Sequence, residues 1–114
     1  AVDGVMIFDD VRPRTLVEAQ RKPTGGAWTG DIWKIFFCLQ QYRPDLELTR
    51  AGVTPTGFLL VNKLDPKSNA LHDNYDLIVK EYLAEDYPNF PNKQYLEEFS
   101  DPENVLRDRF NISI

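Results

Sequence analysis

Few residues in this chain can do chemistry, and two of them are adjacent. Asp9 and Asp10 follow directly on the apolar run Val5-Met6-Ile7-Phe8. If that run is a strand, the pair stands at its carboxyl end, where open α/β sheets place their ligands. Two neighbouring carboxylates suit a hard cation such as Mg²⁺. The plainer alternative is that one Asp caps a turn while the other faces water, because a dedicated metal site needs several ligands together.

The remaining reactive groups are solitary. His72 is the single histidine and has no His or Cys partner in sequence, so a surface or capping role is expected rather than a base or a zinc ligand. Cys38 is the single cysteine and falls in the most apolar segment, as a buried filler rather than a nucleophile. A lone His without a nucleophile motif gives no Ser-His-Asp arrangement. Trp28, in a Gly-rich stretch, could wall a pocket with Asp31 and Lys34 at its rim. Trp33 reads as core, and Tyr75, Tyr82, Tyr87 and Tyr95 read as packing.

The elements that must position these groups follow from periodicity. Val5 to Phe8 is continuous and apolar, the pattern of a strand buried on both faces. Residues 11–30 form a long connection rich in Pro, Gly and Arg, with a helical turn near Leu16–Gln20. "DIWKIFFCLQQY" reads as a helix from Asp31 to Tyr42, capped by Thr29 or Asp31 and stopped at Arg43-Pro44. "LELTR" alternates as an edge strand, and "GFLLVNKL" carries a fully apolar centre. A loop with Gly52 and Pro55 joins them as a hairpin. Leu71, Tyr75, Ile78, Val79 and Tyr82 then repeat at helical spacing, predicting one helix to about Glu85. Beyond "DYPNFPN" two short helices are expected. Tyr95, Leu96 and Phe99 carry one. The other opens on the capping box Ser100-Asp101-Pro102-Glu103 and buries Val105, Leu106 and Phe110.

This order predicts a small α/β fold: a three-stranded mixed sheet with strands near 4–8, 46–50 and 57–63 and packed helices. The first two strands with the intervening helix make a βαβ unit, and the third strand is antiparallel and central. The first strand then lies at an edge although it reads as interior.

With 114 residues, 42% hydrophobic and 27% charged, the chain fits one globular domain, 1–114. Its core lies in 1–64 and a helical part in 65–114. The net charge of −5 offers no footprint for nucleic acid and is repelled by an anionic membrane surface. The local cluster Arg12, Arg14, Arg21 and Lys22 reads as a solvated loop. No apolar run approaches the ~20 residues of a membrane span, and no signal-peptide pattern opens the chain. The single cysteine suggests a reducing, cytoplasmic location. Asn111-Ile112-Ser113 matches the glycosylation triplet by pattern only. The start on Ala1 fits either initiator removal or an excised piece.

"GVMIFDD" and "WTGDIWK" together, followed by "RPDLEL" and "TGFLLV", give a resemblance. Over residues 3–64 the chain resembles the C-terminal half of a class I S-adenosylmethionine-dependent methyltransferase, in a sugar O-methyltransferase-like branch. The likeness fades through the helix ending near Glu85. It implies that the three strands stand for the fifth, sixth and antiparallel seventh of that fold. It further implies S-adenosylmethionine and Mg²⁺ as cofactors. Asp9 and Asp10 would be metal ligands and catalytic residues, with Arg12, Trp28, Asp31 and Lys34 near a small-molecule acceptor. The family's Gly-rich cofactor loop and ribose-binding acid have no counterpart here. Gly25-Gly26 follows a long loop rather than a strand. Two expectations follow: a methyltransferase fragment inactive by itself, or a stand-alone, non-catalytic module that homodimerises or binds a partner through edge strand 5–8. A hydrolase or isomerase working with the carboxylate pair alone has no further support.

Overall fold

The computed structural model describes residues 4–23 and 25–110; the Asn111-Ile112-Ser113 triplet and Ala1 lie outside them. The sheet is built on its third strand. Leu59, Leu60 and Val61 point to alternate faces and are all buried, so this strand must be covered on both sides and flanked on both edges. The strands are β1 (Met6–Asp9), β2 (Glu47–Ala51) and β3 (Phe58–Asn62), in the order β1-β3-β2. Both ladders are antiparallel, with Met6 opposite Val61 and Phe8 opposite Leu59, and with Leu48 opposite Val61 and Ala51 opposite Phe58. β1 and β2 therefore run the same way on either side of β3, which is central and antiparallel as expected.

Helix α1 (Lys34–Tyr42) lies on the face of Leu59 and Val61. Its Phe36 and Leu39 join Trp33, Val11, Ala19 and Tyr95 in the main core. The other face is covered by α5 (Pro102–Phe110), whose Val105 packs with Ala51 and Leu60. The region between holds α2 (Ala70–Asp73), α3 (Tyr75–Tyr82) and α4 (Lys93–Glu97).

Four local expectations are corrected. The apolar run of β1 is not buried on both faces: Val5, Met6 and Ile7 are 39%, 48% and 54% exposed, and only Phe8 packs against the core. Among the described residues β1 has a neighbour on one side alone, a fact that its own composition cannot encode. The helix at 31–42 begins at Lys34. Its lead-in is a tight 3₁₀-type turn in which Lys34, Ile35 and Phe36 donate to the carbonyls of Asp31, Ile32 and Trp33. Neither Thr29 nor Asp31 caps it. The helix expected up to Glu85 divides at Asn74, whose side-chain amide donates to the Ala70 carbonyl at 2.7 Å. In α5 the capping group is the Asp101 carboxylate, which accepts from Glu103 N at 2.9 Å, rather than Ser100. Ser100 instead bridges to β2.

Residues 52–57 join β2 to β3 through a cis Thr54–Pro55 bond and end on Gly57. Gly57 has φ +72°, and a Cβ there would stand 2.9 Å from both Arg12 Cβ and Phe99 Cε2. Left-handed backbone and lack of space thus both demand glycine. Gly57→Ala should lower unfolding stability by roughly 2–5 kcal/mol, the sum of a left-handed penalty and an overpacking cost. Urea denaturation checks this, and an unchanged midpoint would refute it.

Candidate functional site

The site foreseen at the end of β1 is organised by a turn. Asp9 is the last strand residue and is exposed. Its Oδ1 accepts from the backbone N–H of Asp10 at 2.7 Å. Asp10 takes the left-handed conformation, φ 63°, which short polar residues tolerate best after glycine. Its Oδ1 accepts from the Thr56 hydroxyl at 2.6 Å, and the Thr56 carbonyl accepts from Arg12 N at 2.7 Å. The pair therefore turns the chain out of the sheet and pins it to the β2–β3 loop. Sequence reasoning missed Thr56, which is buried. The only signal was its place between Pro55 and Gly57 in a loop of the hairpin.

Arg12, though exposed, is a fastening. Its Nε donates to the Leu96 carbonyl at 3.0 Å and its guanidinium lies 5.3 Å from the Phe99 ring centre. Trp28 leans on Gly30, and its indole N–H donates to the Gln20 carbonyl at 2.7 Å. Asp31 and Lys34 form an ion pair at 3.3 Å, and the ammonium sits 5.2 Å from the Tyr87 ring centre. They edge an apolar pocket of about 210 Å³ between α1 and α3, walled by Ile32, Ile78, Val79 and Leu83. The six foreseen residues are thus held in four separate settings. Asp9 and Asp10 are brought together, Asp31 and Lys34 are brought together, and Arg12 and Trp28 each stand apart.

Among the described residues, no group of three or more His, Cys, Asp or Glu side chains gathers around a common point. Two carboxylates at the β1 exit are an incomplete shell for Mg²⁺, which would need ligands from elsewhere. Gly25 and Gly26 have positive φ, but nothing lies within 4 Å of where a Cβ would be. They form an open bend with no close backbone approach, so they do not fit a nucleotide cradle.

Burial raises the Cys38 thiol above its ordinary pKa, with Glu81 adding to the effect, in keeping with a filler rather than a nucleophile. Burial likewise raises the Tyr95 hydroxyl. His72 lies exposed in the last turn of α2. Sequence reasoning also missed Glu18. Its backbone carbonyl accepts from Thr29 N and Gly30 N at 2.9 and 3.1 Å, which holds the Trp28–Gly30 bend. Its buried carboxylate accepts two hydrogen bonds from Arg14 Nε and one from Nη2. The spacing of four was the available signal.

Comparison with family models, with characterised proteins and with solved structures gives no match.

The hydrogen bond from Arg14 holds the Glu18 carboxyl below its usual range, against the opposing effect of burial. A depressed folded pKa contributes stability that is present above the unfolded value and is lost as pH falls through the folded one. Glu18→Gln should therefore be less stable than the parent at neutral pH, and the difference should shrink on acidification. Thermal unfolding from neutral pH to below the carboxylate range tests this. A difference constant with pH would refute it.

Proposed function

We propose that this chain is the acceptor-side, C-terminal half of an S-adenosylmethionine-dependent methyltransferase-like unit, with little or no activity by itself. One observation carries this reading. The sheet runs β1-β3-β2 with the antiparallel strand central, and among the described residues the apolar β1 lies unpaired on its outer side with two carboxylates at its carboxyl end. A parallel strand added there would complete a crevice at the strand ends. In that complete unit Asp9 and Asp10 would be the metal ligands beside the reacting groups. Arg12, Trp28, Asp31 and Lys34 are retained as acceptor-side residues by resemblance. The resemblance assigns none of this chain's residues to the cofactor's own cradle, so no step of methyl transfer is derived from them. A cytoplasmic location accompanies this reading, supported by the single, buried cysteine. Among the described residues, no helix is long and apolar enough to cross a membrane.

The exposure of Val5, Met6 and Ile7 favours a second reading, a stand-alone non-catalytic module that works by strand pairing at this edge.

Titration with Mg²⁺ followed by amide NMR should shift Asp9, Asp10 and the Thr56 loop weakly, and Asp9→Asn should abolish the shifts. Calorimetric titration with S-adenosylmethionine should show no saturable binding by this chain, with or without Mg²⁺. Saturable cofactor binding would overturn the half-unit reading. Mg²⁺ shifts that survive Asp9→Asn, or their absence, would remove the metal assignment.

A further inference from the structure

The two outer edges of the sheet are treated differently. On the outer side of β2, the Arg50 carbonyl accepts from Ser100 N and the Ser100 carbonyl accepts from Gly52 N, both at 2.8 Å. Ion pairs of Arg50 with Glu98 and of Arg109 with Glu47 flank that edge. On the β1 side, residues Val5 to Phe8 carry none of the devices that blunt an edge: no charge, no proline and, among the described residues, no covering segment.

Backbone alternation identifies what the β1 edge offers. Because Arg50 and Gly52 face outward, Glu47, Thr49 and Ala51 turn their N–H and C=O groups toward Asn62, Leu60 and Phe58. The intervening Leu59 and Val61 then serve Phe8 and Met6 of β1. The groups left pointing outward belong to Ile7 and Asp9 of β1 and, by the same alternation, to Val5 just before it.

We propose that a second copy of this chain covers this edge, with β1 pairing antiparallel to β1 of its mate about a two-fold axis at Ile7. This inference rests on the strand-pairing reading and competes for the same edge with the parallel strand of the methyltransferase reading. The two three-stranded sheets would then become one. Only outward-facing residues can exchange hydrogen bonds, so the register moves in steps of two residues. Centring on Ile7 sets Val5 opposite Asp9 and Met6 opposite Phe8, with no carboxylate facing another. A parallel pairing in register would stack Asp9 on Asp9, which like charge disfavours. A centre one residue further along the chain would put Asp9 against Ile7, and one residue earlier would leave Asp9 outside the apolar ladder. The chosen register also joins Met6 to Phe8 of the mate on the α1 face. There both line an apolar groove of about 310 Å³ with Leu39, Leu64 and Leu71. Apolar contact thus extends beyond the strands themselves. The ladder is short, so the dimer dissociates on dilution. With −5 on each chain, it strengthens with added salt.

Sedimentation velocity across a wide dilution series should show a reversible monomer–dimer equilibrium. Ile7→Lys places two ammonium groups at the axis and should leave a monomer with unchanged circular dichroism. In a hydrogen-bonded antiparallel pair the two Ile7 Cα atoms lie about 5.5 Å apart, within disulfide reach. Ile7→Cys should therefore cross-link on mild oxidation, with Cys38 buried and silent. In Val5→Cys the two thiols would be roughly 13 Å apart along the ladder and should not cross-link. A parent chain that stays monomeric at every concentration overturns the proposal. Dimerisation of Ile7→Lys equal to the parent's does so too, as does cross-linking through Val5→Cys instead of Ile7→Cys. The cysteine readout does not depend on the folding of Ile7→Lys. Cofactor titration of the same sample reports separately on the methyltransferase reading.

Discussion

The hydroxyl of Tyr95 donates to the carbonyl of Val11 at 2.6 Å, in the interior, across 84 residues of sequence. Both residues are almost fully buried, so each polar atom depends on the other. Such a bond has a net worth of ~1 kcal/mol, but a buried carbonyl left unsatisfied costs roughly 1–3 kcal/mol. It fixes the C-terminal part against the strand exit, and further contacts build on it. Arg12 donates to the Leu96 carbonyl, and Arg50 donates to the Tyr95 carbonyl from a position 4.3 Å from the Phe36 ring centre and 5.0 Å from that of Tyr95. The chain leaving α4 is thereby delivered to β2. Ser100 there closes one edge, and α5 is launched across the second face. What this anchoring covers, and what it leaves bare, follows from where Tyr95 sits.

The chemistry-bearing residues are distributed by the same logic. A charged side chain in a small domain is retained at low cost when its partner is close and its stem covers apolar surface. Lys34 over Tyr87, Arg12 over Phe99 and Arg50 among three rings all conform. Each is placed by an aromatic side chain, not by a common ligand. Asp9 and Asp10 are the exception, since their nearest groups are backbone and a hydroxyl. Their carboxylates stand at the carboxyl end of β1.

Elements whose environment lies within a few residues were legible. β3 announced itself by an uninterrupted apolar centre, α5 by the proline at its first position, and the central place of the antiparallel strand by element order. The break at Asn74 was not legible, because the apolar spacing runs through it while a single side-chain amide bends the backbone. Arg50 was equally opaque: in an alternating strand an arginine reads as solvent-facing, yet it is covered by rings drawn from α1 and the C-terminal part. The β1 run misled for a more general reason. Apolar composition records that a strand needs cover, and says nothing about whether that cover comes from its own chain.

That distinction gives the carboxylates at the end of β1 their meaning. A strand can end in two like charges because Asp9 satisfies the next backbone N–H while Asp10 occupies a left-handed bend braced by Thr56. The arrangement is compatible with any neighbour at the edge, but the direction of that neighbour decides what the acids can do. A parallel strand gathers carboxyl ends on one side of the sheet, where Asp9 and Asp10 could share a cation with groups it supplies. An antiparallel mate sends its own acids to the far end of the ladder, roughly 13 Å away, beyond any common coordination shell. Metal-centred chemistry and self-pairing would therefore be alternative uses of one edge, and strand direction there would separate an acceptor site from an assembly surface.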